Sequence, residues 1–262
     1  MRVAYPSDIT RDQFEIIRFM LEETRKVTHP RKYDLYDIFC AMLYLLKEGC
    51  RWRSIPHDFP KWQNVYYHYQ IWTKKDDEGK SIWEKALEEL VLSERVMNGR
   101  NAKTTMSILD SRSVKNAFTA EEKGYDGGKK ISGIKIHIGT DTCSLPNAIH
   151  VTTANVTDRD GALEMLEKHV PNLSNVLKIL CDGSYTGKNF ANAVMALLNA
   201  VVEVVKRNEL HTFAVIPKRW AVERAFAWLD HCRRLWKNCE RKLHNTHQMI
   251  TLAFISVLLK RY

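Results

Sequence analysis

Three acidic residues in the second half of the chain have the types and the setting that metal-assisted chemistry needs. Asp110 closes the apolar segment 105–110 and Asp182 closes the apolar segment 176–182, so each is predicted to end a buried strand. Open α/β sheets bind ligands at the carboxyl ends of their strands. Glu223 lies at the edge of the apolar stripe of a predicted helix. Three carboxylates in one cleft repel one another unless divalent cations neutralise them, and such oxygen ligands suit Mg²⁺ or Mn²⁺.

Each acid also has an ordinary structural interpretation. A strand-end aspartate is often a turn or helix cap, and Asp182 with Ser184 could form such a turn. Glu223 could belong to a solvated helix with ion pairs. The charged residues close to its row are Arg219, Asp230 and Arg234. His137 could lie near the acids, although a satisfied core histidine is the more ordinary interpretation.

The net charge of +9 favours a polyanionic partner, either nucleic acid or a membrane surface. The excess is uneven, since residues 201–262 hold 12 Lys and Arg against 5 Asp and Glu. Apolar runs are far shorter than the ~20 residues that cross a bilayer. Residues 1–12 lack the composition of a secretory signal. We therefore expect a cytoplasmic protein without a membrane partner.

The six cysteines form no CxxC pair, which predicts reduced thiols. One zinc set can be imagined, but its spacing fits no common finger. It consists of Cys232, Cys239, His244 and His247.

Apolar residues recur at the helical period through residues 8–95, which predicts an all-helical first domain over residues 1–98. Two of its predicted helices cover residues 34–48 and 61–72, joined by a turn. The second helix carries residue types that bind base edges and phosphates. These are Lys61, Gln63, Asn64, Tyr67 and His68. The pattern is typical of a helix-turn-helix DNA-binding domain, and a plain helical bundle is the alternative.

The apolar period changes from residue 103 onward. The predicted order is strand, hairpin, helix, strand, helix, strand, helix, and residues 131–140 and 145–152 form the hairpin. This order predicts the α/β class, with a mixed sheet and flanking helices in a second domain over residues 99–262.

Several local sequences resemble those of bacterial insertion-sequence transposases of the insertion sequence five family. Four of them lie in the second domain, at residues 108–115, 154–161, 182–185 and 218–229. Residues 49–60 and 65–67 resemble the N-terminal DNA-binding domain of that family. The resemblance covers about residues 8–260, and it implies the ribonuclease-H-like core of DDE transposases.

The resemblance also implies a function. A DDE transposase of this family binds the inverted repeats of its element and uses two Mg²⁺ ions, for which Mn²⁺ can substitute, to cut and transfer DNA strands. Asp110 would bind both ions, Asp182 one and Glu223 the other. Water would free a 3′-hydroxyl at the element end, and that hydroxyl would attack the target strand. The implied partners are double-stranded DNA and further copies of the chain, because two ends are cut.

In many relatives a tyrosine and an arginine precede the glutamate, and a basic residue follows it by seven positions. Arg219 matches the arginine, whereas Ile216 and Asp230 occupy the other two places. Arg233 or Arg234 would then supply the cation. The predicted phosphate contacts of the second domain are Lys115, Lys135, Arg219, Arg224, Arg233 and Arg234.

Two other functions remain open from the sequence. The chain could be an inactive DNA-binding remnant or repressor of such an element, or a nuclease with the same core. The presence of all three acids favours an active transposase.

Overall fold

The computed structural model describes residues 2–23, 32–205 and 220–262. The chain divides into two compact units, each drawn from separated segments of the sequence. The first comprises Met1–Leu90, Trp228–Trp236 and Gln248–Tyr262, and the second Val91–Ala227 and Lys237–His247. The predicted domains, residues 1–98 and 99–262, are by contrast continuous segments.

The described part of the first unit is helical, as the apolar periodicity predicts. Its helices are α1 (Arg11–Glu23), α2 (Leu35–Glu48) and α3 (Trp62–Thr73), with parts of α4 (Ile82–Met97) and α8 (Leu243–Leu259). Of the helices described, none combines the length and apolar character that crossing a lipid bilayer requires.

Local sequence signals set the ends of these helices. Thr10 and Gln13 cap α1 reciprocally, each accepting a hydrogen bond from the backbone N–H of the other, at 3.1 and 2.9 Å. The Asp34 side chain caps α2 by accepting from the N–H of Tyr36 at 2.9 Å. Gly49 ends α2 with a left-handed φ of 69° that favours glycine. The bounds of α2 confirm the predicted helix over residues 34–48.

Aromatic side chains form much of the core of this unit. The rings of Phe39 and Trp83 flank Trp72, with centroids 6.4 and 6.5 Å from it. The Trp72 indole N–H also donates to the carbonyl oxygen of Leu21 at 3.2 Å. Phe19 is 71% exposed, because it lies on the side of α1 opposite the buried row of Phe14, Ile17 and Leu21.

The connection between α2 and α3 has the extent that the predicted helices 34–48 and 61–72 imply, and it is longer than the turn of a helix-turn-helix. It spans residues 49–61 and contains a 3₁₀ turn at Trp52–Ser54. A helix-turn-helix connection has three or four residues. The two prolines, Pro56 and Pro60, account for the irregular course of this segment.

Among the described residues, the second unit contains one mixed six-stranded sheet. Its strands are β1 (Met106–Lys115), β2 (Gly124–Asp126), β3 (Ile131–Thr140), β4 (Pro146–Thr153), β5 (Lys178–Cys181) and β6 (Val201–Val204). The order is β2-β3-β1-β5-β6, and β4 also pairs with β3. The pairs of β3 are antiparallel, whereas β5 runs parallel to β1 and β6. The α/β class, the mixed sheet and the hairpin are confirmed.

Three details of the sheet differ from the prediction. β1 continues beyond Asp110 to Lys115, because residues 110–115 pair with β3. The predicted loop 124–130 begins with the short strand β2. β6 was expected to be buried, but it is the last strand of the sheet order, and Val201 is 55% exposed.

Helices α5 (Asp158–Lys168) and α6 (Lys188–Leu198) cover one face of the sheet. Their buried Met165, Leu166 and Phe190 pack in one cluster with Leu109 of β1 and Ile179 of β5. Because side chains alternate along a strand, residues of even number near the middle of β1 and β5 belong to the opposite face. The remaining helix of this unit, α7 (Trp220–Asp230), begins after residues that the structure does not describe.

Candidate active site

Asp110 and Asp182 lie level with each other on neighbouring strands. The parallel register pairs Ile108 of β1 with Leu180 of β5, and each acid follows its paired residue by two positions. Asp182 keeps an extended backbone, with φ −85° and ψ −177°, so the alternation of faces continues through it. β5 ends at Cys181. We predicted that Asp110 ends its strand, but β1 continues to Lys115. Asp110 instead lies just beyond the last residue of β1 that pairs with β5.

Helix α7 lies over the same face of the sheet as these two acids. The Arg112 guanidinium, two residues beyond Asp110 on that face, lies 4.9 Å from the ring centroid of Phe226. Glu223 precedes Phe226 by three positions, so the two side chains are neighbours on one side of α7. Glu223 is exposed, whereas Phe226 is buried. Helix α7, which carries Glu223, thus contacts the sheet on the face to which Asp110 and Asp182 belong.

Both aspartates also make local hydrogen bonds. Asp182 Oδ1 accepts from the backbone N–H of Ser184 at 2.9 Å and from its hydroxyl at 2.6 Å. The turn that we weighed as the ordinary interpretation is therefore present. Asp110 Oδ1 accepts from the N–H of Ser111 at 2.8 Å. These bonds orient the two carboxylates.

A buried network that sequence reasoning missed lies next to the acids. Burial raises the pKa of Tyr185 well above its usual value, and the charges of Asp110, Asp158 and Asp182 raise it further. The buried tyrosine hydroxyl is therefore surrounded by negative charge. The sequence held one signal for this network, because Tyr185 and Asp158 lie in the segments 182–185 and 154–161 that resemble the transposase family.

Lys135 balances part of this charge. Its ammonium lies 2.8 Å from Asp158 Oδ1 and 3.7 Å from Asp126 Oδ2, and it donates to the carbonyl oxygen of Val156 at 2.7 Å. Burial alone would raise the pKa of Asp158, but hydrogen bonds from Lys135 and Ser111 lower it below its usual value. Lys135 is 5% exposed. Our prediction of Lys135 as a phosphate contact is therefore wrong.

The carboxylates fit a hard divalent cation by their chemistry and by the charge around them. Asp110 and Asp182 present oxygen ligands at one edge, beside a concentration of negative charge that a cation would neutralise. Over residues 2–23, 32–205 and 220–262, no three His, Cys, Asp or Glu side chains form a ready metal-binding group. The ligand roles of Asp110, Asp182 and Glu223 stay predictions.

The six cysteines are free thiols, as predicted. The imagined zinc set of Cys232, Cys239, His244 and His247 lies within the described residues and is not gathered into a metal-binding group.

The predicted DNA-binding residues of α3 differ in exposure. Lys61, Gln63 and Tyr67 are exposed, and Tyr67 has 49% of its surface accessible. Asn64 and His68 are half-buried, and a ring nitrogen of His68 lies 2.9 Å from the carbonyl oxygen of Asn64. The exposed side of α3 thus presents Gln63 and Tyr67 together.

The predicted phosphate contacts of the second domain lie in several settings. Lys115 is exposed at the end of β1, and Arg219 lies outside the described residues. Arg233 is exposed and lies 3.3 Å from Glu48. Arg234 is buried, and it donates to the carbonyl oxygen of Cys50 at 2.8 Å. Their roles toward DNA stay predictions, as does that of Arg224, which binds the β3–β4 turn.

The helical row that we extended from Glu223 to Arg234 is interrupted. Helix α7 ends at Asp230, and Arg233–Leu235 form a separate 3₁₀ turn after an extended Cys232. Arg234 therefore does not continue the row of Glu223.

His137 is buried in the core, but it is not fully satisfied as the ordinary interpretation held, because its Nδ1 is buried without a hydrogen-bond partner among the described residues. Its Nε2 lies 3.0 Å from the Thr152 hydroxyl. Burial lowers the pKa of His137 to about 3, and the charge of His150 contributes. A Cβ at Gly161 would lie 2.2 Å from the imidazole ring, so helix α5 packs directly on it.

This histidine predicts a loss of stability in mild acid. An unfolded histidine is protonated below about pH 6.5, whereas His137 stays neutral in the fold down to about 3. The unfolded state therefore binds an extra proton in this window, and stability falls by up to about 1.4 kcal/mol per pH unit as the pH drops below 6.5. In urea unfolding at pH 7 and pH 5, we expect His137→Gln to lose less stability than the unchanged chain. Equal losses would contradict this assignment.

Comparison with known proteins defines the class. The family profile "Transposase DDE domain" matches residues 101–258, which is more than half of the chain. A second profile, "Putative transposase of IS4/5 family", matches residues 9–78. The chain therefore belongs to the DDE transposase family, and its N-terminal part is similar to transposases of the IS4/5 family.

Two individual proteins are similar to this chain. The "Putative transposase for insertion sequence element IS402" of Burkholderia cepacia is 32% identical over 119 residues, covering 42% of this chain and 55% of the relative. The match thus spans about half the length of that relative. The cryo-EM structure of a piggyBac transposase synaptic complex with hairpin DNA aligns over 99% of this chain and 68% of that chain, at 11% identity and a TM-score of 0.44.

Proposed function

We propose that this chain is an active transposase that binds the inverted repeats of an insertion sequence and catalyses metal-dependent strand cleavage and strand transfer. The observation that carries the proposal is that Asp110 of β1 and Asp182, directly after β5, lie at the same level on the face of the sheet that α7 contacts. DNA is the polyanion that the net charge of +9 favours in a member of this family.

The strand order supports a ribonuclease-H-like core for this activity. With the short β2 set aside, the order is β4-β3-β1-β5-β6, in which three antiparallel strands adjoin two parallel ones. The first acid lies on the central strand β1, and the second directly follows its parallel neighbour β5. The sheet supports Asp110, and the 3₁₀ turn after β5 supports Asp182, which favours a fixed geometry.

Asp110, Asp182 and Glu223 are the residues that would hold two Mg²⁺ ions, with Mn²⁺ as a substitute. When bound, such ions activate the attacking oxygen and stabilise the leaving oxygen of a phosphodiester. The chain's own contribution is to orient the ligands, through the bonds of Asp182 to Ser184 and of Asp110 to the backbone.

The reaction needs no covalent enzyme intermediate. In the first step a water oxygen attacks the phosphorus at the element end, the bond to the 3′-oxygen breaks, and that oxygen leaves with a proton. In the second step the freed 3′-hydroxyl attacks a target phosphorus, and a target 3′-hydroxyl leaves. Because two element ends are cut, we propose that at least two copies of the chain act together on DNA.

We expect α3 to contribute to recognition of the inverted repeats. Gln63→Ala and Tyr67→Ala should each weaken binding by about 1–3 kcal/mol if their side chains contact base edges. Asn64→Ala and His68→Ala should weaken it as well, although His68 also packs against Trp72. Gel-shift titration with the element's terminal repeat tests this, with the exposed Ser93→Ala as control. Unchanged affinity in all four variants would move recognition away from α3.

Plasmid excision tests the catalytic proposal in cells. A plasmid carrying the element should lose it when the unchanged chain is expressed, and should retain it with Asp182→Asn. Glu167→Gln, which neutralises an exposed carboxylate on α5, is the matched control and should excise normally. Equal excision with Asp182→Asn and the unchanged chain would contradict the proposal.

Supplying pre-cut element ends separates the remaining functions. A transposase joins such ends to target DNA, whereas a nuclease of the same fold cuts DNA without joining. An inactive remnant or repressor binds the ends and does neither.

A further inference from the structure

The turn between β3 and β4, residues 141–145, has a shape fixed by one buried carboxylate. Asp141 Oδ1 accepts from the backbone N–H of Cys143 at 2.7 Å and of Leu145 at 2.9 Å. Asp141 Oδ2 accepts from the Arg95 guanidinium, and both side chains are nearly inaccessible to solvent. Charge-assisted hydrogen bonds in a buried setting are strong and directional. The turn is therefore a rigid part of the second unit.

Arg224 of α7 binds this turn with two donors. Its Nε donates to the Ser144 hydroxyl and its Nη2 donates to the carbonyl oxygen of Cys143, both at 2.8 Å. Ser144 has a left-handed φ of 69° as part of the turn. The guanidinium also lies 4.5 Å from the ring centroid of Trp220. A planar guanidinium that donates to two fixed acceptors restricts both the position and the orientation of its arginine relative to those acceptors.

The orientation of Arg224 determines that of its neighbour Glu223. The two side chains leave α7 about 100° apart, so they are fixed relative to each other. The buried side of α7 near Arg224 consists of the small Ala221 and Ala225, whose side chains restrict the rotation of the helix little. A rotation of α7 by about 10° would displace a side-chain tip by on the order of 1 Å, which exceeds the roughly 0.5 Å that a functional site tolerates.

We propose that Arg224 is a positioning residue, which locks the rotation of α7 on the β3–β4 turn so that Glu223 faces Asp110 and Asp182. This inference rests on the proposed function, and it replaces the predicted role of Arg224 as a phosphate contact. The hydroxyl of Ser144 and the carbonyl oxygen of Cys143 accept the hydrogen bonds of Arg224, and Asp141 fixes the turn that carries them.

The first test measures binding of Mn²⁺ alone by electron paramagnetic resonance, on the full chain without DNA. Arg224→Lys keeps the charge but cannot meet both acceptors. We expect it to weaken Mn²⁺ binding about tenfold, as residues that orient metal ligands do. Ser144→Ala removes one acceptor and should weaken binding less. The variant that combines Arg224→Lys with Ser144→Ala should bind Mn²⁺ no more weakly than Arg224→Lys alone, because both changes break the same contact.

The second test measures binding of a random-sequence DNA duplex as a function of salt, without divalent ions. A phosphate contact adds about one unit to the slope of log affinity against log salt. We expect Arg224→Gln to leave the slope unchanged. A slope lower by about one would overturn the positioning role.

The outcomes separate this inference from the proposed function. If the unchanged chain binds Mn²⁺ and Asp182→Asn does not, the metal site stands, and equal binding by Arg224→Lys and the unchanged chain would overturn the inference alone. If the unchanged chain binds no Mn²⁺, the proposed function fails and the inference fails with it. Near-ultraviolet circular dichroism identifies any variant that does not fold. If Arg224→Lys does not fold, the Mn²⁺ binding of Ser144→Ala, the smallest change, tests the inference.

Discussion

Asp110→Asn is expected to lower the rate of strand cleavage by about a thousandfold or more, the scale seen when one essential catalytic group is removed. Asparagine has nearly the same shape, so the pairing of Asp110 with Ile138 in the sheet should persist. It lacks the negative charge that holds a divalent cation. The measurement is single-turnover cleavage of a duplex carrying the element end, in Mg²⁺.

Glu167→Gln serves as control in this assay, because it removes an exposed carboxylate of the same unit without touching the strands. It should cleave within about twofold of the unchanged chain, since surface substitutions have small effects. Cleavage by Asp110→Asn at a comparable rate would show that Asp110 is not a ligand. Loss of cleavage with an unchanged circular dichroism spectrum is the result that we expect.

Lys135→Ala is expected to lower the free energy of unfolding by about 3 kcal/mol. The substitution leaves Asp158 and Asp126 without their shared buried cation. Breaking a buried pair by removing one partner is costly because the other charge stays buried and uncompensated. We place the effect at the low end of the usual range because the Asp158 side chain is 21% exposed.

Urea unfolding at pH 7 measures this effect, with Lys168→Ala as control. Lys168 lies 3.9 Å from Glu164 on the surface, and exposed pairs contribute little. Because the pKa of Asp158 is lowered in the fold, its ionised carboxylate stabilises the folded state at pH values above its usual pKa. This contribution to stability is lost as the pH falls through the pKa of the folded state. Lys135→Ala should therefore lose less stability on acidification below pH 4. Equal stability of the two lysine variants at pH 7 would contradict the buried-pair account.

The sequence predicted that Asp110 and Asp182 end hydrophobic strands, and this is correct for Asp182, which directly follows β5. It could not show that β1 continues beyond Asp110, since residues 111–115 mix polar and charged side chains. Their strand conformation comes from pairing with β3 across the chain, which local patterns do not encode. The level placement of Asp110 and Asp182 likewise depends on the register of two distant segments.

The charge network beside the site was missed for a related reason. Asp158 follows the cap of a helix and Lys135 lies in an alternating strand, so each has an ordinary local explanation. Only the tertiary fold shows that Lys135 is buried between Asp158 and Asp126. The half-buried state of Asn64 and His68 was also hidden, because α3 has polar residues on most of its circumference.

The central claim is that Asp110 and Asp182 are metal ligands of a strand-transfer site, and a change of metal preference tests it most directly. Asp182→Cys replaces a hard oxygen ligand by a softer thiolate, which binds Mg²⁺ poorly and Mn²⁺ better. We predict that this variant is inactive in strand cleavage with Mg²⁺ and regains activity with Mn²⁺, whereas Asp182→Ala stays inactive with both. Full activity of Asp182→Cys in Mg²⁺, or equal rescue of Asp182→Ala by Mn²⁺, would contradict the account.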